Sequence, residues 1–367
     1  MTCIACLTLI VLDQLAARLI PSFPIDNWEP VPFLGYQFHP PKDLKGTYGY
    51  EKQGPLLLFD YETKVSSVWE RVNRLFPDAR LISEKKADEL RVVVLGGSVS
   101  LGTGASSATT RWTHLLASKL EKELKKKVTV IRLAQSGFVT TQERLTWYFA
   151  GDNIDADVVL TLNGFNDSIF SALGVRPGDP YTQVLEYSSH RSTSFNVIQW
   201  MSKHSALFRV FALHGISYIL EEHLEKITKD ERLQRNAVQS TAAIYWENME
   251  VIAKNCELRK IPFFVFLLPS RVTSKFGSEE AAHEIEKAVP IFYNEIRERR
   301  PAHVNFTDLT PIFDRASDQL LFKDLVHPND EGQKVLSDAV AEVLLGNDGQ
   351  AVTLQSKTQI STPVARN

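Results

Sequence analysis

Short runs of branched and aromatic residues alternate along this chain with stretches whose apolar positions recur every three or four residues. The first pattern reads as strands buried on both faces, the second as helices with one apolar stripe. From residue 91 the predicted order is strand 91–95, helix 110–125, strand 128–133, helix 141–149 and strand 157–162. After an interruption come helix 242–259, strand 261–268, helix 279–299, strand 303–306 and helix 331–345. Such alternation predicts an α/β domain, with a parallel sheet of about five strands between helical layers and right-handed crossovers.

The flanks carry no such alternation. Residues 1–25 are apolar from Cys3 to Leu12, break at Asp13 and continue to Ile20, short of the roughly 20 uninterrupted apolar residues of a spanning helix. The segment has no basic leader, and it reads as the remnant of an anchor or uncleaved signal, which makes membrane association an expectation. Residues 26–90 form an extended region whose start is rich in proline and aromatics. The domain proper is expected over 91–345, with an insertion at 168–240. That insertion opens on Gly174, Pro177, Gly178 and Pro180 and then turns helical around Trp200, Phe208, Phe211 and Tyr218. It reads either as a unit packing its own apolar faces or as a lid beside the sheet. The polar tail 346–367 is expected to be disordered, and there is no internal repeat.

Composition narrows the function classes. Over 367 residues the chain is 44% hydrophobic and 23% charged, with a formal net charge of -3, which fits a globular protein and disfavours a nucleic-acid partner. The lysines between Lys119 and Lys127 are interleaved with leucine and glutamate and read as a solvated helix face. Three cysteines, Cys3, Cys6 and Cys256, make no disulfide framework and lie outside metal-ligand spacing.

The chemistry collects where the strands end. Ser98 follows the run Val92-Val93-Val94-Leu95 through Gly96-Gly97, at the carboxyl edge where open α/β sheets place their sites. A serine hydroxyl needs a base, and the base needs its tautomer fixed. Among nine histidines, His327 alone sits in an Asp-x-x-His-Pro setting, where Asp324 can reach one ring nitrogen and leave the other for Ser98. Pro328 holds His327 extended, and Asn329 or Asp330 can cap the next helix. Donors for a developing oxyanion are available from the backbone N–H of Ser98, the backbone N–H of Gly137 and the side-chain amide of Asn166, each worth roughly 2.7–4 kcal/mol of barrier. Taken singly, Gly137 reads as a turn residue, and Asn163 and Asn166 as turn formers bonding their own backbone. Neither a phosphate-loop lysine nor the third glycine of a dinucleotide fingerprint is present. Ser100 stands where Gly-x-Ser-x-Gly has its second glycine, so the sharp elbow of the usual α/β-hydrolases is not expected.

The ordered blocks Gly96-Gly97-Ser98, Gly137, Gly164-Phe165-Asn166-Asp167 and Asp324-Leu325-Val326-His327 resemble those of the SGNH, or GDSL-like, hydrolase superfamily over about 91–345. The resemblance implies a flavodoxin-like three-layer fold. It also implies Ser98 as nucleophile, Asp324 and His327 completing the triad, and Ser98, Gly137 and Asn166 as oxyanion donors, with no metal or organic cofactor. Gly97 departs from the family by replacing the aspartate of Gly-Asp-Ser. With the leading apolar segment and the proline-rich approach, the Gly-Gly-Ser block is similar to that of bacterial cell-envelope members.

These readings converge on a serine esterase that removes an acyl group, acetyl from a carbohydrate being the favoured case, through an acyl-enzyme. Its partner would be a small-molecule or glycan ester. Two alternatives stay open at this point: a lipid esterase or thioesterase, and a non-catalytic binding or assembly protein of the envelope.

Overall fold

The computed structural model describes residues 85–151, 154–172, 231–273, 284–315 and 321–346, the strands β1 (Trp28–Val31) and β2 (Gly35–Phe38), and a few isolated positions. β1 and β2 pair antiparallel. The main sheet holds β3 (Glu89–Gly96), β4 (Lys127–Ala134), β5 (Val158–Asn163), β6 (Phe263–Leu267) and β7 (Asn305–Asp308), ordered β4-β3-β5-β6-β7. Every neighbouring pair is parallel. Counted within this sheet alone, the order is the flavodoxin-like 2-1-3-4-5, which reverses direction between β3 and β5.

The apolar runs are central strands for a physical reason. Val92, Val93, Val94 and Leu95 are fully buried, as are Val158, Val159 and Leu160 on β5, because a doubly covered parallel strand has no solvent face. One helical layer holds α2 (Trp112–Leu124) packed against α7 (Asp330–Leu345). The other holds α3 (Thr140–Ala150), α4 (Phe165–Ala172), α5 (Glu231–Leu258) and α6 (Glu284–Glu298), with α5 packed against the other three and α4 against α6. The result is the three-layer α/β/α arrangement expected from the sequence.

Some details differ from the sequence reading. The stretch after Gly97 is a single helical turn, α1 (Ser98–Leu101), which ends when Gly102 turns left-handed and its N–H bonds back to Ser98 and Val99 carbonyls. The edge strand β7 lies two residues further along than the pattern placed it, since an edge strand shows less continuous burial. The lysine-rich stretch is split: α2 stops at Leu124 and Lys127 already opens β4. Helix α4 runs to Ala172 and α5 begins at Glu231. Most of the intervening insertion, the N-terminal apolar segment except Asp13 and Gln14, and the tail lie outside the described residues. Among the described residues no helix is long and apolar enough to cross a membrane.

Candidate active site

The carboxyl ends of β3, β4 and β5 deliver three loops to one place, the reversal point of the sheet. Ser98 begins α1 directly after β3, and the unusual backbone angle of the turn falls on Gly96 rather than on the serine. The nucleophile candidate therefore sits in relaxed helical geometry, unlike the strained elbow that Gly-x-Ser-x-Gly would bring.

Ser98 Oγ lies 2.7 Å from His327 Nε2, although 229 positions separate the two in sequence. His327 Nδ1 lies 2.6 Å from Asp324 Oδ2. The other Asp324 oxygen accepts the backbone N–H groups of Val326 at 2.9 Å and His327 at 2.8 Å. Partial burial alone would raise the Asp324 carboxyl. The hydrogen bond and charge of His327, with the two backbone donors, outweigh it and hold the group at about 2. An ionised carboxylate can only accept, so in the neutral ring Nδ1 carries the proton and Nε2 offers its lone pair to the Ser98 hydroxyl.

The loop around the pair is braced locally. A bridge joins Phe322 to Pro328, and the Lys323 N–H bonds the His327 carbonyl at 2.9 Å. Asn329 caps α7 by accepting the Gly332 N–H at 3.0 Å. Of the two expected capping residues, Asp330 instead holds the backbone N–H and hydroxyl of Ser106.

Asn166 opens α4 after β5, and its Nδ2 donates to the Phe138 carbonyl at 2.9 Å. That bond spans 28 positions, so Asn166 is not a turn former tied to its own backbone. The amide sits over Gly97, where a Cβ would stand 2.7 Å from Nδ2. The departure from Gly-Asp-Ser thus leaves room that the Asn166 amide occupies. Gly137 lies one residue before Phe138, in a turn closed by the Phe138 N–H on the Gln135 carbonyl at 3.2 Å, and its φ of +77° suits glycine. A small cleft, partly open to solvent, is lined by Ser98, Asn166 and the apolar side chains of Phe138, Leu162, Phe165 and Leu268, among others.

Beneath this cleft lies a buried polar cluster that the sequence did not reveal. Asn163 is not a turn former either: it donates to Glu143 at 2.8 Å and accepts the Tyr245 hydroxyl at 2.7 Å. Thr161 also bonds Glu143. Asp167 accepts the hydroxyl of Thr140 at 2.7 Å and its N–H at 3.2 Å, and Asn248 donates to the hydroxyls of Thr140 and Thr141. The cluster ties the first turn of α3, just past Phe138, to α4, which carries Asn166. Glu143 and Asn248 are polar positions inside helical stretches, and nothing local in the sequence separates a buried one from a solvated one. Asp167 belongs to the block Gly164-Phe165-Asn166-Asp167, and its adjacency to Asn166 is the one signal that pointed towards it.

Burial raises the Glu143 carboxyl to about 8, against the hydrogen bonds from Thr161 and Asn163 and with the charge of Asp167 adding to the rise. Burial likewise raises Asp167 to about 6, although the Thr140 bonds oppose it. Glu143 Oε1 and Asp167 Oδ2 have no hydrogen-bond partner among the described residues, and at neutral pH a carboxyl at about 8 keeps Glu143 protonated. An acid that is neutral in the fold but ionised in the unfolded chain holds an extra proton in the native state. Stability then falls as pH rises from the unfolded carboxyl value to about 8. Glu143→Gln should flatten that slope and raise Tm at the alkaline end, as thermal melts of both proteins across this range would show. A slope unchanged in the variant would clear Glu143 of responsibility.

Residues 94–335 match the model of the GDSL-like Lipase/Acylhydrolase family. The chain belongs to this family. This GDSL-like protein is accordingly a serine ester hydrolase, and small-molecule esters are its class of substrate. Solved structures similar to it include a lipase from a goat rumen metagenome, 16% identical, with a TM-score of 0.42, covering 68% of this chain and 95% of that one. An extracellular lipase from Streptomyces rimosus is 16% identical, with a TM-score of 0.39, covering 69% and 99%. An acetyl xylan esterase is 13% identical, with a TM-score of 0.40, covering 70% and 100%. No curated protein matches the sequence.

Proposed function

We propose that this GDSL-like hydrolase removes a short acyl group, acetyl in the favoured case, from a carbohydrate hydroxyl through an acyl-enzyme on Ser98. The observation that carries the reading is the continuous Ser98–His327–Asp324 hydrogen-bond chain, at 2.7 and 2.6 Å. Ser98 Oγ attacks the ester carbonyl while His327 Nε2 takes its proton. The tetrahedral intermediate collapses, and His327 returns that proton to the departing alcohol. Water, deprotonated in turn by His327, then attacks the acyl-enzyme, releasing the carboxylic acid and restoring the serine.

The small apolar cleft beside Ser98 supports a short acyl chain, and the Gly-Gly-Ser block with the proline-rich approach supports the carbohydrate. The backbone N–H groups of Ser98 and Gly137 and the second hydrogen of the Asn166 amide, the first being held by Phe138, are the proposed oxyanion donors. A fluorophosphonate should label Ser98, and turnover across a panel of acetylated glycans and esters of increasing acyl length should favour acetyl. Failure to label Ser98 in folded protein would remove the nucleophile, whereas preference for long acyl chains would overturn the substrate alone.

Asn166→Ala should lower kcat by about 100- to 1,000-fold with little change in KM, because the oxyanion bond strengthens in the transition state. Both constants and Tm measured on one preparation decide this. A folded variant with unaltered kcat would end the assignment.

A further inference from the structure

The proposed nucleophile and base lie on loops far apart in sequence, so something must hold those loops in register. We propose that Gln333, in the first turns of α7, is the positioning residue that sets the Ser98–His327 geometry. This rests on the assignment of Ser98 and His327 made above.

Gln333 is fully buried, and its amide joins three segments. Nε2 donates to the Thr103 carbonyl at 3.0 Å, in the loop after Ser98, and to the Pro328 carbonyl at 3.1 Å, directly after His327. Oε1 accepts the backbone N–H of Trp112 at 2.9 Å, a donor at the start of α2 that has no partner within its own helix. The indole N–H of Trp112 in turn donates to the Val99 carbonyl at 2.8 Å, beside Ser98. The bonds make a closed circuit from the serine turn through Trp112 and Gln333 to the histidine loop. A buried amide with both donor hydrogens and its oxygen engaged fixes distance as well as attachment, because losing one partner leaves a desolvated carbonyl or N–H.

Neither of the nearest replacements in shape meets these demands. Glutamate would set an oxygen against two carbonyls, and methionine would fill the volume with no donor or acceptor of comparable strength. Either change should let the loops relax, and a shift on the order of 1 Å at a reacting pair costs about 100-fold in rate.

The test uses Gln333→Met and Gln333→Glu in the full chain, with rates expressed per folded molecule. Both should lower kcat by about 10- to 100-fold with KM held within about twofold, and slow fluorophosphonate inactivation in parallel. That probe reports the serine–histidine pair without deacylation or substrate binding. In a His327→Ala background, Gln333→Met should produce little further loss of the residual rate, since Gln333 acts through the base. Wild-type kcat and inactivation rate in either folded variant, or full additivity with His327→Ala, would overturn the proposal. Should the methionine variant fail to fold, the glutamate variant decides, since it preserves shape and the Trp112 acceptor. Ser98→Ala and His327→Ala measured alongside separate the two ideas. Turnover retained there defeats the assignment itself, while loss there with intact Gln333 variants defeats only the role of Gln333.

Discussion

Replacing Ser98 with alanine should abolish ester turnover, by on the order of a million-fold in kcat, and leave the fold in place. The side chain is small, opens a one-turn helix and bonds His327 alone among the polar contacts described for its hydroxyl. Its loss makes no core cavity. The more discriminating result is the double variant Ser98→Ala/His327→Ala, which should be hardly worse than either single change, because a nucleophile and its base act as one unit. Steady-state rates with an acetyl ester, together with a melt of each protein, measure this. Turnover undiminished in pure Ser98→Ala protein would place the nucleophile elsewhere.

A loss of the same order is expected for His327→Ala, and Asp324→Asn should be milder, at roughly 10,000-fold. The reason lies in how the carboxylate is used. Its Oδ1 is taken by the Val326 and His327 backbone N–H groups, and only Oδ2 faces the ring. An asparagine keeping the backbone bonds would point its NH2 at Nδ1, favour the opposite tautomer and leave Nε2 protonated towards Ser98. Asp324 itself should add no limb to the wild-type pH–rate profile above the acid end, because it is ionised down to about 2. Its contribution to stability is complete above the unfolded carboxyl value and is lost as pH falls towards about 2. pH–rate profiles and melts of the three proteins check both statements. A His327→Ala variant with wild-type rates would assign the base to another group.

Much of this architecture is legible because burial writes itself into apolar runs. β3, β5 and β6 each carry a buried apolar run, at 92–95, 158–160 and 263–267, and the ends of the first two strands locate Ser98 and Asn166. Asp324 and His327 are legible for another reason: they interact within one short loop, so spacing alone carries the contact. Glu143, Asn248 and Gln333 are not. Each is a polar residue on a helix, and its burial depends on which helix packs over it, a long-range fact that no local pattern encodes. Asn163 reads as a turn former for the same cause, since its partners Glu143 and Tyr245 arrive from α3 and α5.

The proposed base and its carboxylate stand after the last strand of the sheet, in a loop stitched to itself by the Phe322–Pro328 bridge. During synthesis, a ribosome must therefore release the whole sheet, then this loop, then α7 before Ser98 meets a positioned proton acceptor. A nascent chain can already possess most of its hydrophobic core and still be chemically silent. On the proposed assignment, full reactivity is expected only once α7 has packed against α2 and brought Gln333 between the Thr103 and Pro328 carbonyls.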